Sequence, residues 1–193
     1  MIYFTSDLHL GHANAIAFTN RPFADVAGMN EALINNINET VSAKDQLWIL
    51  GDFAYRINRE AACALRERIR CHHVHLVLGN HDKDYGDGVF ESVQHYKELK
   101  TEYGRFILFH YPIAEWNAAH YGSVHLHGHI HSTGGYNAEN LKKTYMPPFH
   151  TENAPQADFR MRIYDVGVDA NGFRPVSLKQ LAELMQLEPV KAG

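Results

Sequence analysis

The 193-residue chain has only two cysteines, no long apolar run and no excess of positive charge. The two thiols, Cys63 and Cys71, favour reduced cysteines in a cytoplasmic protein over a disulfide framework. No apolar stretch approaches the roughly 20 residues of a membrane-spanning helix, and the N-terminus lacks the basic start of a signal peptide. The 18 basic and 22 acidic side chains argue against nucleic-acid binding through bulk charge. No membrane partner is expected, and local recognition of a nucleotide stays open.

The composition is otherwise that of an ordinary globular protein, with 45% apolar and 21% charged residues. The length predicts one domain, residues 1–193, large enough to bury a full core. Histidine is the unusual residue type, with 14 copies. Several of them stand at spacings typical of metal ligands, which favours a metal site over a scattered surface distribution.

Short apolar runs that end in a sharp turn recur along the chain, and a polar residue capable of metal or proton chemistry follows each of them. Residues 76–82 read Leu-Val-Leu-Gly-Asn-His-Asp, which predicts a buried strand that stops at Gly79. In open α/β sheets, ligands bind just beyond the carboxyl ends of strands. We therefore expect Asn80, His81 and Asp82 to face a crevice.

Four further strand ends carry the same kind of residue. They are Asp7 and His9 after residues 2–6, Asp52 after 46–50, His110 after 105–109, and His129 and His131 after 123–126. Carboxylate oxygens and imidazoles together suit Mn, Fe, Ni or Zn. A single Asp–His pair is equally consistent with a helix cap beside a surface histidine, so the recurrence favours the metal site. His72, His73 and His75 lie inside a predicted strand instead, and we expect them to be structural or exposed.

The remaining patterns predict an alternation of strands and helices. Further strands are expected at residues 71–78, 93–99 and 160–166, and helices at 12–18, from residue 25 onward and near 61–69. Ser177 and Gln180 form a capping-box pattern before a C-terminal helix. Residues 132–156 are rich in Gly, Asn, Pro and Thr, which predicts either an ordered surface hairpin or a mobile flap over the site.

Taken together, these motifs resemble those of the calcineurin-like metallophosphoesterase superfamily. The matching segments are Asp7-Leu8-His9, Gly51-Asp52, Gly79-Asn80-His81-Asp82, His110 and Gly128-His129-Ile130-His131. A Gly-Asp pair alone is common in any protein, but all five motifs in this order are a specific signal. The resemblance implies an α/β fold, a four-layer α-β-β-α sandwich of two mixed β-sheets flanked by helices. It also implies a hydrolase that acts on phosphoester bonds.

The resemblance implies two divalent metal ions, with manganese foremost and iron, nickel or zinc as alternatives. It assigns the first metal to Asp7, His9, Asp52 and His131, and the second to Asp52, Asn80, His110 and His129. The Asp52 carboxylate would bridge the pair, and a hydroxide held by both metals would attack phosphorus opposite the leaving oxygen. His81 matches the family's general acid, and Asp82 would hold the His81 ring in place.

Three further residues are candidates for substrate binding. Arg56 stands where many relatives read Gly-Asp-x-x-Asp-Arg and bind phosphate through the Arg, but Tyr55 here replaces the second Asp of that pattern. This departure weakens the case for a phosphoprotein substrate. Arg21 and His12 are close in sequence to the first metal motif, and they are equally consistent with the end of a helix and an exposed polar position.

The expected activity is that of a phosphodiesterase on a small, nucleotide-like phosphoester, because a chain of this length leaves little room for a cap domain that would enclose a monoester. A phosphomonoesterase and a nuclease of the same superfamily are the enzymatic alternatives. The non-enzymatic alternative is a metal-free interaction scaffold, as in one subunit of the retromer sorting complex. All seven ligand positions are filled here by competent residues, which argues against the scaffold.

Overall fold

The computed structural model describes residues 1–144 and 161–190, and nine strands and five helices lie within them. The strands are β1 (Ile2–Thr5), β2 (Gln46–Ile49), β3 (His73–Val77), β4 (Ser92–Gln94), β5 (Tyr96–Thr101), β6 (Gly104–Phe109), β7 (Val124–His127), β8 (Ile163–Asp165) and β9 (Val176–Ser177). The helices are α1 (Ala13–Phe18), α2 (Val26–Thr40), α3 (Arg59–Glu67), α4 (Gly134–Asn140) and α5 (Leu178–Met185). Two short 3₁₀ helices are also present, at Ala119–Tyr121 and Val168–Ala170.

The strands form two mixed sheets. The first has the order β4-β3-β2-β1-β9, in which only β9 runs antiparallel to its neighbour. The second has the order β5-β6-β7-β8, in which only β5 is antiparallel. The predicted fold class, two mixed sheets flanked by helices, is confirmed.

Apolar side chains pack between the sheets and again behind the first sheet. Successive residues of a strand point to opposite faces, so Phe4 of β1 packs with Phe106 and Leu126 of the second sheet, whereas Tyr3 packs with α2. The Asp25 side chain caps α2 by accepting from the Gly28 backbone N–H at 2.7 Å. The apolar residues Met29, Leu33 and Ile37 of this helix are buried against the first sheet.

The predicted strand at residues 93–99 is in fact two strands that belong to different sheets. β4 pairs with β3, and β5 pairs with β6, so the chain crosses between the sheets at His95. Both are edge strands. A period-two pattern reports which face a side chain occupies but not which strand lies beside it, so this change of partner was not predictable from the pattern.

Part of the predicted loop at 132–156 is helical, because α4 covers Gly134–Asn140. Two glycines at its start disfavour a helix, but tertiary hydrogen bonds fix it to β8. The Asn137 amide donates to the Asp165 carbonyl at 2.9 Å and accepts from the Asp165 backbone N–H at 2.8 Å. Residues 145–156 of that predicted loop lie outside the described residues.

The carboxyl ends of β1, β2, β3, β6 and β7 converge on one edge of the sandwich. The turn after β7 touches the turn after β1, since the His129 backbone N–H donates to Asp7 Oδ2 at 2.9 Å. His110, after β6, contacts the Leu50 carbonyl after β2 through its Nδ1 atom at 2.8 Å. This edge therefore collects the five predicted motifs. Within the described residues, no helix is long and apolar enough to cross a membrane.

Candidate metal centre

Asp7, His9 and His131 point their ligand atoms at a common centre. The Nε2 atoms of His9 and His131 lie 3.1 Å apart, and each is 3.9 Å from Asp7 Oδ1. Asp7 Oδ1 is buried and has no hydrogen-bond partner. An orphaned buried carboxylate oxygen is costly unless something compensates it. A divalent cation between these three atoms fits that requirement, and we call the three residues the first ligand group.

A second set of ligand atoms meets around Asp52. Asp52 Oδ2 lies 3.4 Å from His9 Nε2 and 3.7 Å from His110 Nε2, so this carboxylate stands between the two sets. Asn80 Oδ1 is 3.0 Å from His110 Nε2 and 3.0 Å from His129 Nδ1. We call His110, Asn80 and His129 the second ligand group. All seven predicted ligands are therefore brought together at one edge.

The protonation of the buried histidines suits cation binding. Burial, helped by the neighbouring His131, lowers the pKa of His9 to about 2, so the ring is neutral at physiological pH. His110 can donate its Nδ1–H to the Leu50 carbonyl, which leaves the Nε2 lone pair directed at Asp52 and Asn80. Neutral imidazole is the form that ligates metals. Burial raises the pKa of Asp7 to about 6 in the absence of a cation.

Backbone strain is concentrated at the predicted ligands. Five of the seven are non-glycine residues with a left-handed φ between 45° and 73°: Asp7, His9, Asp52, His129 and His131. Such a conformation is uncommon outside glycine and persists only where the surroundings enforce it. The turns that end the strands bend here so that the side chains face inward. The strain supports a functional role for this edge.

Gly79 allows the turn after β3 to approach Asp52 closely. A Cβ atom at this position would lie 2.3 Å from Asp52 Oδ1 and 2.6 Å from the Asp52 backbone N. We therefore expect Gly79→Ala to displace the central carboxylate and to lower metal affinity at least ~10-fold, as measured by calorimetric titration with Mn²⁺. Gly135→Ala is the control, because its Cβ would meet nothing closer than 3.6 Å. Equal affinity in the two variants would contradict this account.

Asp169 joins the site although the sequence analysis gave it no role. Its Oδ2 atom lies 2.7 Å from His131 Nδ1, and Arg21 donates to both of its oxygens at 2.8 and 2.9 Å. Burial would raise the pKa of Asp169, but the hydrogen bonds from His131 and Arg21 outweigh it and lower the pKa to about 2. The anionic carboxylate thus holds His131 with Nδ1 protonated and Nε2 free for a cation.

The position of Arg21 contradicts the predicted contact with substrate. The side chain is buried, and besides its ion pair with Asp169 it donates to the backbone carbonyls of Asp7 and Leu8 at 2.8 and 3.1 Å. Its guanidinium is occupied in supporting the first ligand group from behind. Arg21 does lie beside the first metal motif, as its place in the sequence suggested. The sequence could not predict that its side chain points toward the protein interior and not toward the substrate.

Asp169→Asn is expected to weaken metal binding roughly 10–100-fold, because it removes the carboxylate that orients His131. Calorimetric titration of the metal-free protein with Mn²⁺ measures this change. The exposed Asp87 gives the matched control, Asp87→Asn, which should bind as the wild type does. Undiminished affinity in Asp169→Asn would show that His131 needs no such support.

Asp82 does not hold the His81 ring, contrary to prediction. Its Oδ2 accepts from the backbone N–H groups of Asp52 and Gly79, each at 2.8 Å. Its Oδ1 accepts from the Phe53 backbone N–H at 2.9 Å and the Tyr85 hydroxyl at 2.8 Å. Both oxygens are thus committed to joining the turns after β2 and β3. The role of Asp82 is to place Asp52.

His81, Tyr55, His12 and Arg56 form the rim of the site, in which His81 and Arg56 are exposed and Tyr55 and His12 are half-buried. The His81 ring lies 5.6 Å from the His9 ring and 4.7 Å from the Tyr55 ring, in an edge-on arrangement. Tyr55 also stacks on His12, with 3.7 Å between ring centroids, and carries the Arg56 guanidinium 5.1 Å from its own centroid. This rim places His81 beside the ligands and in contact with solvent.

The histidines that the sequence set aside lie away from the ligands. His73 is exposed and pairs with Glu91, while His75 is buried and stacks on Trp48 with 4.2 Å between ring centroids. A further histidine, His127, is buried beside the ligand turn and contacts the Gly128 carbonyl at 2.9 Å through Nδ1. These positions agree with a structural role for all three.

Comparison with known proteins decides the family. The sequence model of the calcineurin-like phosphoesterases matches residues 1–164. The chain belongs to this family. It is therefore a phosphoester hydrolase that depends on divalent metal ions, in agreement with the Asp and His clusters at its strand ends.

Two relatives found by sequence and one solved structure are similar to this chain, and none of the three has an activity in its name. The uncharacterized protein MJ1445 of Methanocaldococcus jannaschii is 29% identical over 187 residues, which cover 96% of this chain and 91% of that protein. The gene 66 protein of Mycobacterium phage D29 is 29% identical over 161 residues, covering 68% and 78% of the two chains. The solved structure of AQ665 from Aquifex aeolicus, described as of unknown function, has a TM-score of 0.68 and 23% identity, with 95% and 98% coverage. That likeness supports the shared fold of this calcineurin-like phosphoesterase.

Proposed function

We propose that this phosphoesterase is a phosphodiesterase that works with two divalent metal ions, manganese foremost. The first ion is assigned to Asp7, His9, Asp52 and His131, and the second to Asp52, Asn80, His110 and His129. The main support is the position of Asp52, whose Oδ2 lies 3.4 Å from a histidine of the first group and 3.7 Å from one of the second. A carboxylate shared in this way reduces the mutual repulsion of two cations.

The side chains around the two metal ions have separate roles in the reaction. When bound, the two cations would activate water as the nucleophile and neutralise charge on the phosphoryl oxygens. His81 would donate a proton to the leaving oxygen, because it is the exposed imidazole beside the first ligand group. Tyr55 limits the movement of His81 through its edge-on ring contact.

The preference for diesters is inferred from the exposure of the site. Asn80 and His81 are exposed, and His129 and His131 are half-exposed, so the centre opens to solvent on the side of the general acid. A diester needs room for a second alcohol group on phosphorus, which a monoester lacks, and an open site provides it. An enclosed pocket would instead favour a small monoester.

Hydrolysis of bis-p-nitrophenyl phosphate by the Mn²⁺-loaded protein, beside p-nitrophenyl phosphate, tests the proposal. We expect the diester to be hydrolysed with a kcat/KM at least ~10-fold above that of the monoester. A preference for the monoester would replace the phosphodiesterase by a phosphomonoesterase. Absence of activity on both substrates, despite bound metal, would contradict the proposal and favour the scaffold.

A further inference from the structure

A small cleft opens beside His81. It lies between the start of α3 and the segment that follows β3, and its basic lining residues are Arg56, Arg59 and Lys83. The cleft has about 50 Å³ of free space. Because roughly 10–15 Å³ suffices for one water molecule, there is room for a group of a few heavy atoms but not for a nucleobase.

The cleft has an excess of positive charge. In the described part of the chain, the ion pairs of Lys and Arg side chains involve other residues, so Arg56, Arg59 and Lys83 have no carboxylate partner. Asp84 is the acidic side chain in the lining, and its Oδ1 accepts from the Gly86 backbone N–H at 2.8 Å. The lining therefore holds three positively charged side chains and one carboxylate, which already accepts a hydrogen bond from the backbone.

Two of these cations, Arg59 and Arg56, stand in unusual backbone surroundings. A Cβ atom at Gly86, where φ is +87°, would lie 1.4 Å from an Nη atom of Arg59, so the turn passes directly against the guanidinium. Arg59 is also the first residue of α3, a position where the helix dipole disfavours a cation. Arg56 has a left-handed φ of 52°, a conformation that is strained in a non-glycine residue. A cation at the start of a helix and a strained arginine do not stabilise the helix. Their positions are explained if the cleft binds an anion.

We infer that this cleft binds a phosphate group carried by the leaving alcohol of the substrate. The inference rests on the proposed role of His81, because the leaving oxygen must lie beside the acid that protonates it, and His81 lines the cleft. In the reaction, water loses a proton to the solvent and bonds through its oxygen to phosphorus, the P–O bond to the leaving alcohol breaks, and His81 gives that alcohol oxygen a proton that it regains from the solvent. The departing alcohol keeps its own phosphate. The substrate class is thus a phosphodiester with a further phosphate on the leaving side.

Three dithymidine substrates test this subsite: TpT, the form with a 5′-terminal phosphate and the form with a 3′-terminal phosphate. We expect one of the two phosphorylated forms to have a kcat/KM about 10-fold above that of TpT, since charge-assisted hydrogen bonds add affinity while solvent partly screens exposed charges. Raising the NaCl concentration should reduce the preference because salt screens exposed charges. Equal rates for all three substrates would overturn the inference.

Two double variants distinguish the effect of the cations in the cleft from the effect of positive charge elsewhere on the surface. Arg59→Ala combined with Lys83→Ala should reduce the preference to within about twofold. The control combines Lys44→Ala with Arg70→Ala, two exposed cations that precede β2 and β3 and so lie at the opposite edge of the first sheet. It should keep the full preference. A preference that survives in the Arg59/Lys83 double variant would also overturn the inference.

Two further measurements distinguish failure of the subsite from failure of the proposed function. Bis-p-nitrophenyl phosphate reports the diesterase activity alone, because its leaving group carries no phosphate. Calorimetric binding of the three dinucleotides to the Mn²⁺-loaded His81→Ala protein, which should turn them over far more slowly, tests the cleft separately from the reaction, and adding Arg59→Ala and Lys83→Ala should remove the expected ~10-fold preference. Glycerophosphoglycerol, with and without a terminal phosphate, then shows whether the phosphate must belong to a nucleotide. Once the dinucleotides show the preference, a preference in the glycerol pair extends it to other leaving alcohols, and equal rates in that pair confine it to nucleotides.

Discussion

The Asp52→Asn variant is expected to lose both metal ions and at least ~10³-fold in kcat/KM on bis-p-nitrophenyl phosphate. Asp52 is the carboxylate that approaches both ligand groups, through distances of 3.4 Å to His9 Nε2 and 3.7 Å to His110 Nε2. Asparagine is neutral, so in the variant no negative charge at this position offsets the repulsion between the two cations. Metal ions contribute several kcal/mol to transition-state stabilisation, and each 1.36 kcal/mol corresponds to a factor of ten.

Asparagine is the appropriate replacement because it preserves the local backbone contact. Asp52 Oδ1 accepts from the His81 backbone N–H at 3.0 Å, and the amide oxygen of asparagine can accept the same bond. Metal content after dialysis, measured by elemental analysis, and steady-state kinetics together check the prediction. Asp87→Asn, at an exposed position, should retain metal and activity. Two metal ions per chain in Asp52→Asn, or activity within tenfold of wild type, would remove Asp52 from its proposed central role.

The positions of the seven candidate ligands were predictable because each depends on short-range features. An apolar run predicts a strand, a glycine or polar turn predicts where the strand ends, and the next residues then face the edge where ligands bind in α/β sheets. Asp7 and Asp52 follow β1 and β2 within three residues. Parallel neighbouring strands bring such ends together without further information from the sequence.

The supporting residues were not predictable because their partners are remote in sequence or belong to the backbone. Asp169 and His131 meet across 38 residues, and Asp169 meets Arg21 across 148. Nothing in a local pattern distinguishes Asp169 from an ordinary turn residue. The family resemblance assigned Asp82 to the His81 ring, but its oxygens accept from backbone N–H groups in the turns after β2 and β3. Because every residue type except proline has a backbone N–H, the amino-acid sequence does not show which of these groups a carboxylate will bind.

The His81→Ala variant is expected to keep its metal ions yet lose roughly 10²–10⁴-fold in turnover of a diester with a poor, alkyl leaving group. The reason is that His81 lies outside both ligand groups. Its ring is 5.6 Å from that of His9 and is exposed to solvent, where it can reach a leaving oxygen. Elemental analysis checks metal retention, and TpT provides the alkyl leaving group.

The dependence on the leaving group separates a general acid from a residue that only maintains the site. An alkoxide leaves poorly without a proton, whereas p-nitrophenolate is stable as an anion, so the variant should lose much less activity on bis-p-nitrophenyl phosphate than on TpT. Structural damage would instead lower both rates by a similar factor. His73→Ala is the matched control, because His73 is exposed at the opposite end of β3 and pairs only with Glu91 in the described part of the chain. Full activity of His81→Ala on TpT would assign the proton transfer to another group, and His12, which stacks on the same Tyr55 ring, would be the next residue to replace.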